Sequence, residues 1–144
     1  MLNTPRTTGM AAGGVLLVTV MAGSASAVGW GSVAVSYDGK LRATAHGDFR
    51  NDRNINAKNK VMSKDLAADG NTIYTEGNWY FDNGAEVHSF HTPEHNHTYY
   101  VTHHLKFPLD SKAKSVRAAT QACVQLGWPV PDTCSPAALA TFDY

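Results

Sequence analysis

The stretch Gly31–Phe49, GSVAVSYDGKLRATAHGDF, carries the clearest structural pattern in the chain. Apolar and small or polar residues alternate on both sides of Asp38-Gly39, with apolar positions at Val33, Val35, Tyr37, Leu41, Ala43 and Ala45. An Asp-Gly pair between two alternating runs favours a tight hairpin, because primed turns need positive φ at their centre. The sequence therefore predicts a first β-hairpin here.

Six further segments favour strands, since they alternate or are rich in β-branched and aromatic residues. They are residues 61–66, 72–81, 86–91, 98–107, 115–124 and 138–144. Turn residues separate them at Asp69-Gly70 and at Asp82-Asn83-Gly84, and Gly77 indicates a bulge or bend. A helix is the alternative for residues 63–68 and for the alanine-rich residues 115–124.

Residues 50–61, RNDRNINAKNKV, are polar and rich in asparagine and in basic residues. This composition predicts an exposed loop or an irregular entrance to a strand, with Ile55 as its one core contact. Asp52 interrupts the basic residues and no aromatic residue lies among them, so a solvated loop is preferred to a binding patch.

Many short strands between turns, with little sustained helical period, predict an all-β fold. The expected architecture is a small antiparallel β-sandwich or open barrel with one C-terminal disulfide.

The N-terminal segment has the features of a secretory signal peptide. Arg6 precedes an apolar run, and Ala25-Ser26-Ala27 provides a small-residue cleavage site. We therefore expect residues 1–27 to be a signal peptide and residues 28–144 to form one secreted, extracellular domain. The apolar run is too short and too rich in glycine for a membrane anchor.

The two cysteines lie close together, in Cys123–Ser135, CVQLGWPVPDTCS. Export to an oxidising compartment favours a disulfide between Cys123 and Cys134. Trp128 lies between a glycine and a proline inside the loop that this disulfide would close. It is the first candidate for an exposed anchor that contacts a partner.

Charge and motifs argue against several function classes. Without Arg6, 11 basic residues face 12 acidic ones, so there is no strong net charge to attract nucleic acid or an anionic membrane. Neither a G-x-S-x-G motif, a phosphate loop nor a dinucleotide fingerprint occurs, and no cofactor is expected. Five carboxylates could in principle supply a glycosidase pair, but the sequence does not place any two of them on either side of a sugar: Asp48, Asp52, Glu76, Glu86 and Glu94. A non-enzymatic protein is the preferred interpretation.

Residues 86–107, EVHSFHTPEHNHTYYVTHHLKF, contain six of the seven histidines. Two strands joined by the loop TPEHNH would form a histidine-rich hairpin in which His88 could face His104. His95 and His97 at the tip could complete a metal site. His103 falls on the apolar face and is expected to pack in the core. An extracellular metal-binding protein is therefore the alternative function, although no H-E-x-x-H motif supports it.

Three segments resemble the small β-rich proteins that Streptomyces and its relatives secrete. They are DLAADGNTIYTEG (residues 65–77), CVQLGWPVPDTCS (residues 123–135) and the C-terminal TFDY. Together with the signal segment, they resemble the adaptor subunits of umbrella toxin particles, which join a lectin subunit to the stalk of a large toxin protein. The resemblance implies a secreted adaptor that acts through protein–protein contacts within an extracellular antibacterial toxin complex.

Overall fold

The computed structural model describes residues 27–144, apart from the side chains of residues 88 and 89. Nine strands and no helix make up this part of the chain: β1 Ala27–Tyr37, β2 Lys40–Asp52, β3 Asn56–Asp65, β4 Thr72–Phe81, β5 Glu86–His91, β6 Val101–Pro108, β7 Ser115–Gln125, β8 Thr133–Cys134 and β9 Ala138–Asp143. The all-β prediction is confirmed. The predicted signal peptide, except for Ala27, lies outside the described residues.

The strands form two antiparallel sheets. The first sheet has the order β1-β2-β3-β6, and the second has the order β5-β4-β7, with β8 and β9 both paired to β7. The apolar side chains between the sheets form one core, whose largest fully buried members include Phe49, Ile73 and Trp79. The architecture is therefore a β-sandwich. No helix in residues 27–144 has the length and apolarity that crossing a membrane requires.

The predicted turns occur where expected. Asp38 and Gly39 have φ angles of 51° and 70°, and they join β1 to β2 as the Asp-Gly signal predicts. The register between β4 and β5 shifts between Gly77 and Trp79, so the predicted bulge is present. Residues 115–125 form a strand, so the strand interpretation is confirmed over the helix alternative.

Of the two expectations for residues 50–61, the exposed loop is wrong, whereas these residues do lead into a strand. β2 continues to Asp52 and β3 begins at Asn56, so these residues form a second hairpin whose turn has positive φ at Arg53 and Asn54. Such φ angles are uncommon for arginine, and no glycine marks this turn in the sequence. Ile55 lies at this turn with 62% of its surface exposed and is not a core contact.

The prediction of a histidine-rich hairpin over residues 86–107 is also wrong. β5 pairs with β4 in the second sheet, whereas β6 pairs with β3 in the first sheet. The backbone positions of His88 and His104 therefore belong to different sheets and do not face each other across a hairpin. Residues 92–100 cross from one sheet to the other, and an isolated bridge between His95 and Ile73 holds them in place. β6 begins at Val101, so Tyr99 is outside the strand.

Candidate functional site

The loop between β7 and β8 presents one large aromatic side chain to solvent. Trp128 is 96% exposed, the highest value among the large hydrophobic residues of residues 27–144. Gly127 has a φ of 77°, which glycine adopts without strain. Pro129 and Pro131 have no N–H group and so cannot extend the strand ladder. The loop therefore turns sharply after β7 and places the indole outside the sandwich.

A disulfide and a side-chain hydrogen bond anchor this loop to neighbouring strands. Cys123 on β7 lies opposite Cys134 on β8, and the predicted disulfide joins them. The hydroxyl of Tyr74 on β4 donates a hydrogen bond of 2.9 Å to Oδ2 of Asp132. The backbone N–H of Val130 also donates to the carbonyl of Gly127 at 2.9 Å, inside the loop. Trp128 is therefore exposed on a segment that is internally bonded and anchored to two strands.

A small cavity lies against the end of the same loop. Its volume is about 160 Å³, and it is lined by Tyr74, Glu76, His91, Glu94 and Asp132. The rings of Tyr74 and His91 meet edge to face with centroids 5.7 Å apart. Thr72 Oγ1 lies 3.0 Å from a carboxylate oxygen of Glu94 and 2.9 Å from Gln125 Oε1, and its one proton is donated to one of these two acceptors. Aromatic rings and three carboxylates thus converge next to the Trp128 loop.

The carboxylates give this cavity a negative potential. The pKa of Tyr74 is raised, first by desolvation, then by the hydrogen bond to Asp132 and by the negative charges of Asp132, Glu76 and Glu94. The phenol therefore remains protonated at neutral pH and remains a donor to Asp132. A partner group placed here would have to be neutral or positively charged.

His95 belongs to the crossing segment, residues 92–100, and is only 8% exposed. Its Nδ1 accepts the backbone N–H of His97 at 3.3 Å, and its Nε2 lies 3.0 Å from Ser63 Oγ. Because Nδ1 is an acceptor, the proton is assigned to Nε2, which donates to Ser63. In this arrangement the imidazole cannot take the proton of the Ser63 hydroxyl, as a Ser–His nucleophile pair requires.

The described histidines do not form a metal-ligand set, although the ring of His95 lies near two others, including that of His103 at a centroid distance of 6.1 Å. His95 stacks on His97 with centroids 5.6 Å apart, and His104 lies on the outer face of the first sheet. His103 is half-buried on β6, opposite Val61. In the part of the chain that the structure describes, one group of three candidate ligand atoms comes together, and two of them are the disulfide sulfurs: Glu76, Cys123 and Cys134. The geometry of the described side chains thus gives no support to a histidine metal site, and the side chain of His88 lies outside them.

The acidic cavity was not found from the sequence. Glu76 and Glu94 were only two of five possible carboxylates, and His91 was one histidine among six in its segment. The residues come from β4, from the end of β5, from the crossing segment and from the Trp128 loop. No spacing along the chain connects them, and the pairing of β4 with both β5 and β7 brings them together.

Comparison of the chain with protein-family models, with curated proteins and with solved structures found no match. The function is therefore inferred from the chemistry and geometry of the site itself.

Proposed function

We propose that this chain is a secreted, non-enzymatic binding protein that acts through protein–protein contacts, with the Trp128 loop as its anchor. One observation carries the proposal: an indole that is 96% exposed on a loop held by a disulfide and by the Tyr74–Asp132 hydrogen bond. Tryptophan is among the residues that most often dominate binding energy at protein interfaces.

The rigidity of the loop supports this role. Ordering a flexible side chain or loop on binding costs free energy, and a loop that is already fixed avoids part of that cost. The adjoining cavity adds charge selectivity, because Glu76, Glu94 and Asp132 favour a partner with a basic side chain next to its apolar pocket. The expected partner surface is therefore an indole-sized hydrophobic pocket flanked by lysine or arginine.

Secretion is part of the proposal. The segment 1–27 has the pattern of a signal peptide, and the Cys123–Cys134 disulfide is the state expected in an oxidising compartment. The resemblance to umbrella toxin adaptors makes an extracellular antibacterial toxin complex the first setting in which to look for the partner.

The test is purification of the tagged chain from culture medium under mild conditions, with identification of stoichiometric co-purifying proteins. The affinity of the purified partner is then measured for the native chain and for Trp128→Ala. We expect the variant to bind at least about 30-fold more weakly, since interface tryptophans commonly contribute 2 kcal/mol or more.

The matched control is Leu139→Ala, which removes another exposed hydrophobic side chain. Leu139 lies on β9, outside the Trp128 loop. It should leave the affinity unchanged. A chain that elutes alone as a monomer would contradict the proposed function. An equal loss of affinity in both variants would contradict the assignment of the anchor to Trp128.

A further inference from the structure

The outer surface of the first sheet concentrates positive charge. On β3, the buried residues Ala57, Asn59, Val61, Ser63 and Asp65 alternate with side chains that face away from the core. The outward positions of β2, β3 and β6 carry many basic or histidine side chains, and we call six of them the basic face: Arg50, Lys58, Lys60, Lys64, His104 and Lys106.

The strand register places like charges directly opposite one another. Lys58 on β3 lies between Arg50 on β2 and Lys106 on β6, so three cations form one row across three strands. In the next row, Lys60 lies between Asp48 and His104. Like charges that face each other across strands destabilise a sheet. The row of three cations is therefore unfavourable for the stability of the sheet.

Acidic neighbours compensate this charge only in part. Asp48 lies 3.5 Å from Arg50, and Asp52 lies 3.1 Å from Lys106. Lys64 lies over the ring of Tyr100, 4.7 Å from its centroid. Among the described side chains, Lys58 and Lys60 have no ion-pair partner. Two lysines at the centre of the basic face are therefore available to a ligand.

The positive charges of the basic face also act on His104. Its pKa is lowered, first by desolvation and then by the positive charges of Lys58, Arg50 and Lys60. Asp48 acts in the opposite direction but does not cancel them. The potential at the centre of the face is therefore positive, although the chain as a whole has almost no net charge.

We propose that the basic face binds an extended acidic polysaccharide. Along one strand, successive side chains on the same face are about 6.8 Å apart, and neighbouring strands are about 4.8 Å apart. This regular array of cations suits a polymer that carries a charge on each repeat. A recess of about 310 Å³ lined by Asp52, Arg53, Ile55, Asn56 and Lys106 extends the array toward the β2–β3 turn.

The composition of the face favours this ligand over a protein or a nucleic acid. Protein interfaces have an apolar centre, whereas Met62 is the one aliphatic side chain among the outward positions of β3. Single-stranded nucleic acids need several exposed aromatic rings for stacking, and here Tyr100 alone adjoins the lysines, with His46 against its edge.

Binding at the basic face does not require the Trp128 loop, because the two lie on different sheets. The molecule would then hold a protein through one sheet and a charged polymer through the other. Loss of either contact should leave the other intact, which makes the two roles separately testable.

The test uses heparin as the acidic polysaccharide and the purified chain with its disulfide formed. Affinity is measured by titration at several salt concentrations for the native chain, for Lys58→Gln/Lys60→Gln, and for Lys112→Gln/Lys114→Gln. The second double variant loses the same charge from the exposed segment between β6 and β7. We expect the first variant to bind at least tenfold more weakly, with a logarithmic salt slope smaller by about 2, as for two lost ionic contacts.

The control variant should keep the native affinity and slope. Three results would overturn the assignment: no heparin binding at low salt, equal weakening in both variants, or binding of duplex DNA without binding of heparin. Retention of heparin binding by Trp128→Ala would confirm that the basic face acts independently of the Trp128 loop.

Discussion

Asn59 of the first sheet donates a hydrogen bond of 2.8 Å to Thr120 Oγ1 of the second sheet, across the middle of the core. Its Oδ1 accepts the indole N–H of Trp30 at 2.9 Å. The amide is fully buried, so these bonds replace the water that it would otherwise require. Asn59 thus joins β1, β3 and β7 at one point and fixes the two sheets relative to each other.

Replacing Asn59 by alanine should lower the free energy of unfolding by about 3 kcal/mol, because it leaves the buried indole N–H of Trp30 and the hydroxyl of Thr120 unpaired. Urea denaturation measures the change. Ser36→Ala, at an exposed position of β1, should stay within about 0.5 kcal/mol of the native value. A loss below about 1 kcal/mol in Asn59→Ala would mean that the bridge between the sheets is not important for stability.

Gly47 cannot carry a side chain. A Cβ atom at this position would lie 1.9 Å from the carbonyl oxygen of Lys60 and 2.9 Å from the ring of Trp30. Gly47→Ala should therefore destabilise the protein by about 3 kcal/mol, at the upper end of the usual cost of overpacking. The same denaturation measurement checks this, and Gly29→Ala, where the nearest atom is 4.0 Å away, is the control. Equal stability of the two variants would contradict the close approach of β2 and β3 at this point.

Replacing Cys123 and Cys134 together by alanine should lower the free energy of unfolding by about 3 kcal/mol, the chain-entropy contribution of a loop of this length. Trp128→Ala should change it by less than about 0.5 kcal/mol, because the exposed indole has almost no contact to lose. Comparison of the two denaturation curves separates the stabilising bond from the binding side chain. A large destabilisation in Trp128→Ala would argue against its role as an anchor.

The stability of the protein should fall as the pH falls below about 6.5, the ordinary pKa of histidine. The pKa of His95 is lowered in the folded state by desolvation and by nearby His103 and His97, while Asp65 opposes them. The unfolded chain therefore binds a proton first, so the stability present above pH 6.5 is lost progressively as the pH falls toward the folded pKa. Ser63 receives the Nε2 proton of the neutral ring and provides no compensating charge.

Melting temperatures between pH 8 and pH 5 measure this effect. His95→Gln should weaken the decline over that range, whereas His46→Gln, on the outer face of β2, should retain it. A native protein whose melting temperature is constant, or rises, as the pH falls from 7 to 5 would refute the assignment of this effect to His95.

The pKa of His104 should rise in Lys58→Gln, because the variant removes one of the positive charges that hold it down. Imidazole proton chemical shifts followed by NMR during a pH titration give the value directly. Lys112→Gln removes a charge of the same sign from a distant segment and should leave the His104 titration unchanged. An unchanged or lowered pKa in Lys58→Gln would contradict the positive field over the basic face.

Local patterns predicted the strands well and their partners poorly. Asp38-Gly39 specifies its hairpin within a few residues, because the positive φ angles of the turn are a local property. The turn of the β2–β3 hairpin was not predicted, because Arg53 and Asn54 have positive φ angles and no neighbouring glycine indicates a turn there. Trp128 was identified from its loop, and its exposure agrees with that identification.

The all-β class, most of the strand-forming segments and the pairing of the two cysteines can be predicted from the alternation of side chains and from composition. Only the fold shows that residues 86–107 divide between two sheets, that three carboxylates meet beside Trp128, and that Arg50, Lys58 and Lys106 form one row across β2, β3 and β6. Side-chain alternation indicates which residues share a face of one strand. Which strand lies beside it, and which of its faces is buried, depends on contacts between residues far apart in the chain.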